Sequence, residues 1–289
     1  MLLRSPIRSG LQACKAIWNK VDAMMSRPVA AQETSAVDLT KAMRLKLISC
    51  EVFTREIEHL IPLSPHAIEA ETLTMGLHDL GQFMRPHLQQ SIDAADGQGF
   101  DAILLGYALC GRGTEGLRAG KTQLVLPRVH DCIGLLMGSR QAYQAYFDAR
   151  PGVYYRSPGW IEFQQPGQTA LEPAHASANH LLAERRTRAS FIAQYGEDNG
   201  KYLFEQFNAF RRNYSGLTYI STGVPSDAAC RAQSRAEAEK EGWAFEEITG
   251  SLTLLERLVN GSWDPDDFLV VPPGSTVRAT LGDSIVAAV

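Results

Sequence analysis

Ala102-Ile103-Leu104-Leu105-Gly106-Tyr107-Ala108-Leu109-Cys110 is the stretch on which the fold turns. Four consecutive apolar residues without polar alternation suit a strand buried on both faces, the condition of a parallel sheet covered by helices. Comparable runs lie on either side. Leu45-Lys46-Leu47-Ile48-Ser49 reads as a strand ending at Cys50, and Gln123-Leu124-Val125-Leu126 is stopped by Pro127 and followed by Arg128-Val129-His130-Asp131-Cys132. Residues 53–60 read as a short helix. Residues 69–93 carry Leu73, Leu77, Leu80, Phe83 and Leu88 at helical spacing, with Pro86 arguing for a kink or break. Residues 133–147 form one amphipathic pattern. Strands separated by helical spacers pair in parallel through right-handed crossovers. The expected class is therefore α/β, with Rossmann-like open parallel sheets.

Outward from this region the pattern changes twice. Residues 151–212 read as mainly helical, with strand character only at Val153-Tyr154-Tyr155 and an aromatic packing face at Tyr202, Phe204, Phe207 and Phe210. Alternation then returns, with strands at 217–220, 243–248 and 268–271 and helices at 227–241 and 252–259. A second α/β lobe and a continuation of the first sheet both fit this third. At the other end, residues 1–43 hold six Lys or Arg against three acids, +3, which leaves −7 for the rest. They read as an extension with a polar linker at 28–40. The division is thus 1–43 extension, 44–150 first lobe, 151–212 helical segment, and 213–289 second α/β part with the C-terminal tail.

Composition narrows the function classes. The 289 residues are 45% hydrophobic and 21% charged, enough for a large core without staples. A net charge of −4 removes any general pull toward nucleic acid or an anionic membrane. No run approaches the roughly 20 apolar residues that span a bilayer, and no secretory signal is visible. The expectation is a cytoplasmic protein acting on a small molecule, with neither nucleic acid nor membrane as partner. Five widely spaced cysteines do not form a disulfide framework and are expected to stay reduced.

Three of them occupy the same kind of place. Cys50 ends the first strand, and Cys110 and Cys132 lie just beyond the second and third. In an open parallel sheet all carboxyl ends lie on one side, where ligands bind, so segments 60 and 22 residues apart converge without a local motif. Thiolates held together repel unless a cation compensates them, which favours a metal or cluster. Zn²⁺ takes sulfur and nitrogen ligands in a tetrahedron and leaves one position open in catalytic sites. His130 is then a fourth ligand or a donor to a ligand, and Asp131 orients it or caps the following helix. Cys132 at a helix N-terminus is expected to have a lowered pKa. Taken singly, each cysteine reads as a small core residue.

The glycine-rich run Gly111-Arg112-Gly113-Thr114-Glu115-Gly116 matches G-x-G-x-x-G, but a strand follows where the dinucleotide reading needs a helix. Residues 116–122 miss the phosphate-loop pattern by one residue. A loop bringing backbone to a ligand near Cys110 fits better, with Gly106, Tyr107, Gly111 and Gly113 as cofactor-binding candidates. His78-Asp79 reads as a surface or acid/base pair, and Tyr154, Tyr155 and Trp160 as core or pocket wall. Arg185, Arg186 and Arg188 read as a solvated face or an anion holder, while Cys14 and Cys230 read as incidental.

Leu47-Ile48-Ser49-Cys50, Gly106-Tyr107-Ala108-Leu109-Cys110-Gly111, His130-Asp131-Cys132 and Pro151-Gly152-Val153-Tyr154-Tyr155 together resemble the bacterial and archaeal family called domain of unknown function 1638, over roughly residues 44 to 260. The resemblance implies a context of corrinoid-dependent methyl transfer from methylated amines, with a corrinoid protein or a methyltransferase as partner. Glu51 departs from the small residue the pattern has after the first cysteine. His130-x-Cys132 is also similar to the ligand motif of zinc-dependent methyltransferases, in ligand chemistry and not in fold. Three expectations follow. The first is a zinc–thiolate enzyme, a methyltransferase in which Cys50, Cys110, Cys132 and His130 hold the metal and His130 and Asp131 serve catalysis. The second is a [4Fe–4S] protein of electron transfer or reductive activation on the same thiolates. The third is a non-enzymatic accessory protein that binds metal or corrinoid.

Overall fold

The computed structural model describes residues 42–75, 81–163 and 187–289. Its strands are β1 (Arg44–Cys50), β2 (Ala67–Leu73), β3 (Ala102–Gly106), β4 (Leu124–Pro127), β5 (Val153–Arg156), β6 (Gly216–Ser221), β7 (Ala244–Thr249), β8 (Phe268–Val271), β9 (Val277–Ala279) and β10 (Val286–Ala288). The helices are α1 (Thr54–Leu60), α2 (Gly81–Ala95), α3 (Cys132–Leu136), α4 (Arg140–Ala149), α5 (Pro158–Glu162), α6 (Arg188–Tyr195), α7 (Glu197–Phe207), α8 (Asp227–Glu241) and α9 (Thr253–Val259).

The main sheet has the order β2-β1-β3-β4-β8. Its first four strands are parallel and β8 runs antiparallel beside β4. β3 and β4 are buried along their whole length, and β1 everywhere except Arg44. Hydrophobic residues facing both ways are thus the reason for the central position of these three strands. On one face α2 sets Met84, Leu88, Ile92 and Ala95 into the core at helical spacing. The second sheet, β5-β6-β7, is wholly parallel, with α8 as the crossover from β6 to β7. This is the expected α/β class with open, mostly parallel, Rossmann-like sheets. Both arrangements left open for the C-terminal third occur: β6 and β7 build the second sheet, and β8 returns to the first.

Three local expectations are corrected. Residues 67–73 form a strand, not the start of a helix, although Ala, Glu and Leu favour helix. Parallel pairing with β1 in continuous register from Arg44↔Ala67 to Cys50↔Leu73 overrides that propensity. Lys46 secures the edge by reaching Glu69 at 2.9 Å and Glu71 at 3.2 Å. The helix that follows runs through Pro86 instead of breaking there. Finally, residues 133–147 are two helices. Gly138 takes a φ of 66° and Ser139 caps α4 through the Ala142 N–H, so the chain restarts in a new direction.

The connection from β3 to β4, residues 107–123, contains no helix. Its backbone continues the sheet pairing, with Leu109 N–H donating to the Val129 carbonyl at 3.1 Å and Cys110 N–H to the His130 carbonyl at 2.8 Å. The rest is clamped from outside. The Asp96 carboxylate accepts from the Lys121 and Thr122 N–H groups, Gln89 brackets Arg118, and Val277 N–H donates to the Leu117 carbonyl.

The carboxyl edges of the two sheets meet along a seam. Gly159 packs so closely on the turn after β1 that a Cβ there would lie 1.9 Å from the Val52 carbonyl oxygen. Thr222, just past β6, donates to Glu56 of α1 at 2.7 Å, and Ser251 N–H, just past β7, donates to the Leu136 carbonyl of α3 at 2.8 Å. Backbone cannot yield as a flexible side chain can, so Gly159→Ala is expected to destabilise the protein by about 1–3 kcal/mol. Urea unfolding measures this; a loss below about 0.5 kcal/mol would show that the seam is slack there.

Candidate functional site

Cys50 is the last residue of β1, Cys110 lies four residues past β3, and Cys132 is the first residue of α3 after β4. The chain leaves β1 for β2 on one side and reaches β3 on the other, so the carboxyl end of the β1–β3 pair is the topological switch point where open α/β sheets take ligands. All three cysteines are free, with exposures of 9%, 7% and 7%. The thiols are near enough to influence one another's ionisation in every pairing: Cys50 with Cys132, Cys110 with Cys50, and Cys132 with Cys110.

Burial is the main cause that pushes all three thiols up, and neighbouring sulfur and carboxylate charge adds to it. The expectation of a lowered Cys132 pKa is therefore overturned. α3 has only five residues, and Asp131 Oδ1 already takes its Ile133 and Gly134 N–H groups at 3.0 and 3.3 Å. Burial thus favours the neutral form of all three thiols.

The loop carrying Cys110 is held in an uncommon shape. Cys110, Gly111 and Arg112 follow one another in the left-handed region, with φ of 47°, 60° and 70°. Glycine adopts that region freely, whereas a side chain there costs about 1–2 kcal/mol. Arg112 is fixed by Glu115 through bonds of 2.6 and 2.9 Å, and Glu115 also reaches the Ala279 N–H. Strain of this kind persists where the surroundings over-determine it, and functional sites concentrate it.

The glycines divide by role. A Cβ on Gly106 would lie 2.3 Å from Ser49 Oγ, and one on Gly113 1.9 Å from Met84 Sδ, so both are required by strand and helix packing. Gly111 has open space around it. The Tyr107 hydroxyl is buried without a hydrogen-bond partner among the described residues, and the charges of Cys50 and Cys110 bear on it. Tyr107 and Gly111 are thus the two free to serve a ligand.

His130 has an exposed side chain, while its carbonyl accepts from Cys110. Asp131 caps α3 with one oxygen and accepts the Tyr143 hydroxyl at 2.8 Å with the other. Tyr155 of β5 stands edge-on to Tyr143, with ring centroids 6.2 Å apart, and its buried hydroxyl has no partner among the described residues. Trp160 of α5 packs against the main core and bears on the ionisation of Cys132. Glu51 is buried directly after Cys50 and holds the Thr74 hydroxyl at 3.0 Å and the Met75 N–H at 2.7 Å, tying the ends of β1 and β2 together. Sequence reasoning noted Glu51 only as a departure from a pattern. It missed the link from Trp160 to Cys132, which joins two sheets and has no local signal.

Among the described residues, no three His, Cys, Asp or Glu side chains stand in a ready-made metal cage. The three thiols are neighbours, not a closed coordination sphere. His78-Asp79, Cys14, Arg185 and Arg186 lie outside the described residues. Arg188 is exposed at the start of α6, and Cys230 of α8 is buried beneath the Pro158 carbonyl of α5. No described helix is long and apolar enough to cross a membrane.

Fold and site together define an open α/β protein with three buried cysteines gathered at a switch point. The chain belongs to the family described as protein of unknown function (DUF1638), whose model matches residues 72–259, more than half of the sequence. The matched region contains Cys110, His130, Asp131 and Cys132, and Cys50 precedes it. No curated protein and no solved structure matches the chain.

Left-handed strain at Cys110 gives a simple comparison. Cys110→Gly and Cys110→Ala both remove the thiol, but only glycine relieves the backbone, so the glycine variant is expected to be the more stable by about 1 kcal/mol. Urea midpoints of the two variants check this, and equal midpoints would mean that the loop relaxes.

Proposed function

We propose that the protein is a metal–thiolate enzyme, with zinc as the metal, that activates a thiol or a methyl acceptor in one-carbon transfer. The observation that supports it is the mutual neighbourhood of three buried, unpaired thiols at the ends of adjacent parallel strands, one of them on strained backbone. The donor chemistry fits zinc, which accepts three sulfur ligands and an open fourth position. Nothing is needed from Cys230, which lies elsewhere in the fold.

In this reading Cys50, Cys110 and Cys132 bind the ion, and His130 stands outside the sulfur set as a candidate fourth ligand at the rim. When bound, zinc lowers the pKa of a thiol or water in its open position and so supplies a nucleophile at neutral pH. The protein's own groups do the rest. Asp131 fixes the start of α3 and hence Cys132. Trp160 stands near enough to that sulfur to favour its thiolate form. The Tyr107 hydroxyl is a donor for a ligand atom beside Cys50 and Cys110. The buried site keeps bulk water from competing. A corrinoid carried by a partner protein is the proposed methyl source.

Protein purified without oxygen is expected to carry about one equivalent of zinc. Cys50→Ser, Cys110→Ser and Cys132→Ser should each lose it, while Cys230→Ser should retain it. Equal zinc in all four variants would overturn the reading, and iron with labile sulfide would replace it with the cluster alternative. Zinc uptake must also expel the thiol protons. Apparent affinity should therefore fall as pH is lowered from 8 to 6, by up to about tenfold per unit for each thiolate ligand, in a chelator competition.

A further inference from the structure

We infer that Glu56 is a protonation switch on the seam between the two sheets: neutral, it lets α1 and the Thr222 turn stay joined, and ionised, it loosens them. Glu56 sits in α1 with 0% exposure. Its Oε1 accepts the Thr222 hydroxyl from the far sheet at 2.7 Å, and its Oε2 is buried without a hydrogen-bond partner among the described residues. The charged groups that bear on it across the seam are Glu162 of α5 and Asp227 of α8, both acidic.

Among the described residues no cation is paired with this carboxyl. On its own helix Arg55 turns to Glu162 at 2.9 Å and to Glu58 at 3.1 Å, while Glu58 and His59 are exposed. On α9, which packs against α1, Arg257 is taken by Asp267 at 2.6 Å and Glu256 is exposed. Asp227 is occupied by the Tyr219 hydroxyl at 2.8 Å and the Ser221 hydroxyl at 2.5 Å. An ionised Glu56 would therefore add a third carboxylate to the seam and leave Oε2 without a donor. Burial, the largest cause, raises the Glu56 pKa; the Thr222 hydroxyl and the backbone N–H of Glu56 oppose it, and Glu162 and Asp227 add to the rise.

The switch matters because the same seam covers the cysteine site. Gly159 presses on the turn after Cys50, and Trp160 reaches Cys132. Loosening the seam gives small molecules a path to thiols that are otherwise sealed. The inference does not rest on the identity of any bound metal.

A carboxyl raised in the folded state contributes stability that is complete below its unfolded pKa of about 4.3 and drains away as pH rises through the folded value. Glutamine never ionises and keeps the seam neutral. The test is amide hydrogen exchange of the full chain as purified, wild type against Glu56→Gln, at pH 5 and pH 8, read on peptides spanning residues 51–60, 157–162 and 219–227. At pH 5, less than one unit above the unfolded value, the two should differ by less than about tenfold. At pH 8 the wild type should exchange faster, by about tenfold for each unit by which the carboxyl is raised, and Glu56→Gln should melt at the higher temperature. Equal exchange at both pH values, or a less stable glutamine variant at pH 8, would overturn the inference. Should Glu56→Gln not fold, Glu162→Gln removes one facing carboxylate and must move the pH midpoint of wild-type exchange downward; an unmoved midpoint would equally refute it.

Discussion

Parallel pairing of β1, β3 and β4 is the constraint on which the rest depends. Strands that run the same way put all their carboxyl ends on one edge, and hydrophobic residues on both faces leave that edge as the place where polar chemistry can gather. Here the pairing outlasts the strands themselves. Bonds from Leu109 to Val129 and from Cys110 to His130 carry the ladder into the loops. Cys110 is thus positioned by backbone hydrogen bonds, and Cys132 by the Asp131 carboxylate that caps α3.

That positioning works against local preference. Cys110 occupies a backbone conformation suited to glycine, while burial keeps its thiol and those of Cys50 and Cys132 neutral. Packing of strands, the clamp on residues 117–122 and the seam supply the stability that offsets these costs.

Much of this was legible in the sequence, for definite reasons. β3 and β4 announce themselves because two-sided burial favours unbroken apolar runs, β1 by a similar run that only Lys46 interrupts, and the cysteines are visible because each lies at or within five residues of the end of one of these strands. β2 was illegible because Glu69 and Glu71 read as helix residues until Lys46 on the neighbouring strand is known to meet them. The break at Gly138 depends on a single left-handed residue inside an otherwise periodic pattern. The seam could not be read at all: Glu56 with Thr222, and Trp160 with Cys132, are pairs from different sheets with no shared periodicity.

The path of the last strands bears on how the molecule is made. β8 covers the open side of β4, and the segment around Val277 ties down the connection that carries Cys110. On the ribosome, where chains lengthen from the N-terminus, β4 remains an uncovered sheet border until residues 268–277 emerge. Stalled or clipped translation products would carry the cysteines in a slack loop beside a sticky border, and are the species most exposed to aggregation and to chaperone capture.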